Sequence, residues 1–230
     1  SSGTQEISNS EFTGLGGGIN LQNDVGTTIT NTDVSDGDYG VRTGSQSSAN
    51  HVFDDMELSN LNTAIDIQGS GDVSMTDVDI ASAAQATDVD ISGNSNVLFL
   101  DGTVSENKVQ VSSTSSGKFN RDRSYVVELK ADNSPLADVN VIMSSQAAAT
   151  TTSGTTDASG LTSGLSFSVY DKGASGKVDY SAYFNTYTVS AVAEVAYSWV
   201  DSLNNDGDFR YIQATPTNLD DNPMDTTPGM

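Results

Sequence analysis

Ile29-Thr30-Asn31-Thr32-Asp33-Val34 decides the fold, because its outline (apolar, any, Asn or Asp, any, any, apolar) returns along the chain at near-constant spacing. The same outline is met in Ile7-Ser8-Asn9-Ser10-Glu11-Phe12, Phe53-Asp54-Asp55-Met56-Glu57-Leu58, Met75-Thr76-Asp77-Val78-Asp79-Ile80 and Phe99-Leu100-Asp101-Gly102-Thr103-Val104. The first residues stand at 7, 29, 53, 75 and 99, so the steps are 22, 24, 22 and 24. A second short strand follows in each unit: Ile19/Leu21, Tyr39/Val41, Ile65/Ile67, Val89/Ile91 and Val109/Val111. A polar turn comes next, often with glycine, as at Gly44, Gly69 and Gly93. A unit this short cannot bury its own apolar side chains. Parallel coils stacked at about 4.8 Å line up equivalent residues into a continuous core. The alternation in Val73-x-Met75 and Val97-x-Phe99 has strand periodicity, and no span has a helical period. An α-solenoid is thereby disfavoured, as is a leucine-rich repeat, whose Leu-x-Leu spacing is missing. The spacing predicts that residues 7, 29, 53, 75 and 99 form one inward-facing stack.

Composition bounds the function. The chain has 230 residues with 9 Lys and Arg against 31 Asp and Glu, a net charge of −22. Residues 1–117 hold 17 of those acids and only Arg42 and Lys108 as bases. Such a surface argues against binding nucleic-acid phosphates or an anionic membrane. It suits cation binding, or a salty medium that screens self-repulsion. No stretch is long enough to span a bilayer, and Ser1-Ser2-Gly3-Thr4 is not a signal peptide. There is no cysteine, so disulfides and thiol catalysis are excluded. The expected localisation is extracellular, at a cell surface.

After a Ser/Thr/Gly run at 112–117 the pattern changes. Tyr125–Leu129, Val139–Met143, Leu165–Tyr170, Tyr187–Val192 and Phe209–Ile212 alternate as ordinary strands, separated by turn signals such as Asp132-Asn133-Ser134-Pro135 and Asp157-Ala158-Ser159-Gly160. Several short strands in this length read as an antiparallel sandwich. The expected domains are 1–117, a solenoid of about five coils; 118–216, a sandwich; and 217–230, an extended acidic tail or linker.

The five units resemble the right-handed parallel β-helix repeats of pectate-lyase-like and related surface proteins. Asp132-Asn133-Ser134-Pro135-Leu136-Ala137-Asp138-Val139-Asn140-Val141 and Thr155-Thr156-Asp157-Ala158-Ser159-Gly160-Leu161 resemble carboxypeptidase-regulatory-like and bacterial immunoglobulin-like modules. The resemblance implies an all-β chain, a β-helix followed by an immunoglobulin-like sandwich. Such modules are spacers, stalks or adhesive domains, and the combination looks like large repetitive cell-surface proteins of archaea and bacteria.

Chemistry is sparse. In register, Asn9, Asn31, Asp55, Asp77 and Asp101 stack, and Glu11, Asp33, Glu57 and Asp79 stack two residues later. Three readings are open: solvated outward carboxylates, carboxylates bridged by Ca²⁺ or another hard cation, or an inward Asp with a raised pKa. The metal candidates are Asp55, Asp77, Asp101, Glu57 and Asp79. Asp206 and Asp208 join them from the loop Asn204-Asn205-Asp206-Gly207-Asp208, which otherwise reads as an Asx/Gly hairpin turn lacking the later acid of an EF-hand. His51, the one histidine, falls in the column of Thr27, Val73 and Val97, which favours a structural role over catalysis. Lyases of the resembled type set a basic residue beside acidic calcium ligands, yet Arg42 and Lys108 share no evident column with the acids. Tyr170, Tyr180, Tyr183, Tyr187, Tyr197 and Trp199 suit a sandwich core, or a surface that stacks on sugars. The expected function is a non-enzymatic structural or adhesive surface protein: a surface-layer, sheath, filament or stalk component. Its expected partners are itself, other surface proteins or carbohydrate. The alternative is a carbohydrate-active β-helix enzyme or a carbohydrate-binding module.

Overall fold

The computed structural model describes residues 4–14, 16–22, 25–81, 86–131, 134–145, 151–179, 181–188, 198–202 and 209–214. Among them the chain is all strand and turn, apart from a 3₁₀ turn at Glu106–Lys108. The strands are β1 (Gln5–Thr13), β2 (Ile19–Leu21), β3 (Thr27–Thr43), β4 (His51–Ile67), β5 (Val73–Ala81), β6 (Thr87–Ile91), β7 (Asn96–Leu100), β8 (Val109–Val111) and β9 (Lys118–Ala131). There follow β10 (Ser134–Pro135), β11 (Val139–Ser145), β12 (Thr151–Thr155), β13 (Leu165–Gly173), β14 (Gly176–Asp179), β15 (Ser181–Thr188), β16 (Ser198–Ser202) and β17 (Phe209–Ala214). Two compact units result: residues 1–122 with 170–178, and 123–169 with 179–230.

The first unit is a parallel solenoid. β1 pairs with β3, β3 with β4, β4 with β5, β5 with β7 and β7 with β9, all parallel. The register sets Ile7, Ile29, Phe53, Met75 and Phe99 in one row, as the spacing predicts. Ile29, Phe53, Met75 and Phe99 are fully buried, while Ile7, on the terminal strand, is half-buried.

The Asx position has a backbone cause. Asn9, Asn31, Asp55, Asp77 and Asp101 all adopt positive φ, between 45° and 56°. Asn and Asp are the non-glycine residues that tolerate this left-handed conformation best. The kink resets the alternation, so the residue after it also turns inward. Thr32, Met56 and Val78 are buried there, and Val34, Leu58 and Ile80 follow two residues on. A second left-handed corner stands at Asp36 and Asn60, and β3 and β4 run through both corners as strands of 17 residues.

The second strand of each coil needs one correction. Its rows are Ile19–Val41–Ile65–Val89–Val109 and Leu21–Thr43–Ile67–Ile91–Val111. The expected mates Tyr39/Val41 are therefore two residues early in that coil, and Tyr39 stands opposite Thr63. A buried tyrosine imitates a core position here. Its ring is instead covered by the Arg42 guanidinium, 3.9 Å from the ring centre.

The solenoid gains a sixth rung at Lys118–Asp122, where Arg121 ends the row of Phe99. Its buried guanidinium lies 4.6 Å over the Phe99 ring and donates to the carbonyls of Asp101 and Gly102. The segment 170–178 returns to this rung. Tyr170 packs on Phe119 with ring centres 6.0 Å apart, and Lys177 pairs with the Glu106 carboxylate at 2.7 Å.

In the second unit, β12, β11, β15 and β16 form an antiparallel four-stranded sheet. The Thr156-Asp157-x-x-Gly160 motif is a hydrogen-bonded turn. The Asp157 carboxylate accepts from the amides of Ser159 and Leu161, and Gly160 takes φ of +78°. Asp206, Asp208, Tyr180, Tyr197 and the tail from 217 lie outside the described residues.

Candidate functional site

The acidic columns form as the spacing requires. Glu11, Asp33, Glu57 and Asp79 occupy successive rungs, and Thr103 follows them. Glu57, Asp79 and Thr103 line a surface cavity of about 310 Å³ with Leu58, Ser59, Ile80 and Ala81. Asp55, Asp77 and Asp101 stand at the left-handed corner beside this column. Burial, then repulsion from Asp101, Asp54, Asp55 and Asp79, raises the Asp77 pKa. Among the described residues, no three His, Asp or Glu side chains converge as metal ligands would.

Many Asx side chains hold one coil to the next. Asn31 Nδ2 donates to Asn9 Oδ1 at 2.6 Å, Asn60 donates to Asp36, and Asn62 donates to Asp38 at 3.0 Å. At the third corner the Asp72 amide donates to Asn50 Oδ1 and the Asn96 amide to Asp72 Oδ1, at 2.9 and 3.0 Å. These bonds lie at solvent-exposed corners, where each exchanges water for a fixed link between coils.

His51 is buried as expected. Its Nδ1 accepts from the Thr27 amide at 3.3 Å, which leaves the proton on Nε2 to be donated to Ser47 Oγ, also at 3.3 Å. A serine nucleophile needs the opposite polarity, with the imidazole accepting from the hydroxyl. Desolvation lowers the His51 pKa.

One constellation escaped the sequence reading. Asn20, Arg42, Asp66, Asp90 and Gln110 occupy one row across five rungs. The expectation that Arg42 shares no column with the acids is thus overturned; the coil spacing between these strands varies, which conceals the row. Arg42 Nε donates to Asp66 Oδ2 at 2.6 Å, and Gln68 Nε2 donates to the same oxygen at 2.9 Å. Asp90, one rung along, has its pKa raised by burial and then by repulsion from Asp66. Asp88 is fully buried, with Oδ2 accepting from the Ser105 amide at 2.8 Å and Oδ1 unpaired. Its pKa is raised, first by desolvation.

These shifts have opposite signs in stability. Asp77, Asp88 and Asp90 bind protons more tightly when folded, so their contribution is complete below the unfolded value of 3.8 and is lost as pH rises through the folded values. His51 binds its proton less tightly when folded, so its contribution is complete above 6.5 and is lost as pH falls toward its folded value. Asp90→Asn should therefore raise the melting midpoint near neutrality, with the gain shrinking on acidification as the wild-type carboxyl protonates. A gain that is the same at both ends of the pH range would contradict this.

No curated protein and no solved structure matches the chain. One family does, under the description "right handed beta helix region", over residues 1–156. That span covers every coil of the solenoid, and the parallel rungs and stacked corners agree with it: the chain belongs to the right-handed β-helix family.

Proposed function

We propose that this protein is a non-enzymatic structural or adhesive module of an extracellular surface. It would serve as a surface-layer, sheath, filament or stalk component, with an immunoglobulin-like sandwich following its β-helix. The observation that carries this reading is the use made of the solenoid's distinctive side chains. The Asx residues shape and tie corners, His51 is locked by two hydrogen bonds, and Arg121 covers the end of the Phe99 row. The net charge of −22 supports stabilisation by cations such as Ca²⁺, which relieve repulsion along the columns. Linkage adds about 2.7 kcal/mol at a hundred times the dissociation constant. The test is thermal melting at low salt with EDTA and with Ca²⁺, combined with electron microscopy of the same samples. Calcium should raise the midpoint and the protein should associate with itself. Identical midpoints and a monomer at every concentration would refute both.

A second reading, a carbohydrate-active β-helix, is favoured by the row of Arg42, Asp66 and Asp90. One carboxylate is ion-paired and its neighbour has a raised pKa, which is the contrast that acid–base pairs require. Rungs stand about 4.8 Å apart, near the roughly 5–5.5 Å between the carboxyl groups of retaining glycosidases. Reducing ends released from a polysaccharide, and lost in Asp90→Asn with the fold intact, would establish it.

A further inference from the structure

We propose that His51 is an acid-sensitive latch that clips three successive coils together while its Nδ1 carries no proton. The ring and backbone of His51 form a node. Its Nδ1 takes the amide of Thr27 on the preceding coil, and its own amide donates to the Asp72 carbonyl on the following coil at 2.9 Å. Through Nε2 it holds Ser47 Oγ, and the Ser47 carbonyl accepts the Ser70 amide at 2.8 Å. Ser47 and His51 are both buried, and the His51 ring stacks on Phe53 with centres 6.4 Å apart.

Protonation of Nδ1 turns this node against itself. The new N–H faces the Thr27 N–H, so an acceptor becomes a second donor and a bond becomes a repulsion. Among the described residues, no carboxylate bonds to the ring. The row Thr27, Val73, Val97 and Phe119 is uncharged, and so is the turn 44–50. Asp72 is the acid beside the node, and its Oδ1 already accepts from the amide and the side chain of Asn96. Burial without a compensating charge is the reason the imidazole resists protonation. When it does protonate, the node loses its hold on the coil before β4 at that one point, at the start of the β3–β4 ladder, because the Thr27 bond is the only one of its links that needs a bare Nδ1.

Amide hydrogen exchange of the whole chain tests the latch, since His51 is its one histidine. From about pH 7 down to about pH 4, a window that reaches well below the ordinary imidazole value because burial lowers that of His51, protection of the Thr27 amide should fall about tenfold after correction for intrinsic exchange. The amides of Ile65 and Ile67 should keep theirs. In His51→Gln the side-chain oxygen can accept from Thr27 without titrating, so the pH dependence at Thr27 should vanish. The raised carboxyls remain in that variant and serve as its control. A flat wild-type profile, or the same profile in the variant, overturns the proposal. If the variant does not fold, ring ¹⁵N shifts and the Thr27 amide shift are followed together in the wild type. A shared midpoint supports the latch, and separate midpoints overturn it.

Discussion

Replacing Phe53 with alanine lowers stability by about 3–5 kcal/mol. Phe53 is fully buried between Ile29 and Met75 in the inward row, with the His51 ring against it. Neighbouring rungs are fixed by backbone ladders on both sides, so the surroundings cannot collapse into the space left by the ring. Val52 is one residue away on the same strand but is 42% exposed, and Val52→Ala should change stability by no more than about 0.5 kcal/mol. Denaturant unfolding of the two variants gives the comparison. Equal losses would mean that the inward and outward rows have been assigned wrongly.

The second large effect comes from a position with no side chain. A Cβ added at Gly93 would stand 1.9 Å from the Gly69 carbonyl oxygen and 2.5 Å from that of Gln68. Both obstacles are backbone of the preceding coil, which cannot swing aside as a side-chain tip can. The amides of Ser92 and Gly93 donate to the Ile67 carbonyl, and that of Asn94 to Gly69, so any separation breaks several bonds together. Gly93→Ala should cost about 3 kcal/mol or more. Gly16→Ala is the control, because a Cβ there meets nothing within 4 Å. A melting midpoint for Gly93→Ala equal to that of the control would show that the turn can be repacked.

The first strand of each coil was legible because one residue type, Asx, marks a backbone conformation that few others accept. With Asn31, Asp55 and Asp77 aligned, the rows on either side follow by counting. The second strand was less legible, since its rungs step by 22, 24, 24 and 20 residues from Ile19 to Val109. That uneven step makes Tyr39 imitate a member of the row and hides the alignment of Arg42 with Asp66 and Asp90. Thr32 gave no signal of being inside, because the alternation resets at Asn31 and its hydroxyl is satisfied locally by the Thr30 carbonyl at 2.9 Å. The sixth rung is concealed by Arg121. A cation in a core row is credible only once the Phe99 ring and two carbonyls are seen to receive it. The acidic columns were placed correctly, while the carboxyls with raised pKa at Asp88 and Asp90 belong to other rows that no repeat of acids announces.

The left-handed corners have a consequence for how such a chain can change in length. Every rung from Asn9 to Asp101 bends at the same kind of residue, an Asn or Asp with positive φ, and offers its neighbour the same parallel backbone register. A unit duplicated or excised between two equivalent corners would meet the same partners above and below. Each unit adds about 4.8 Å along the axis, so reach is a quantity that evolution or design can set by counting units. The chemistry at either end would remain as it was.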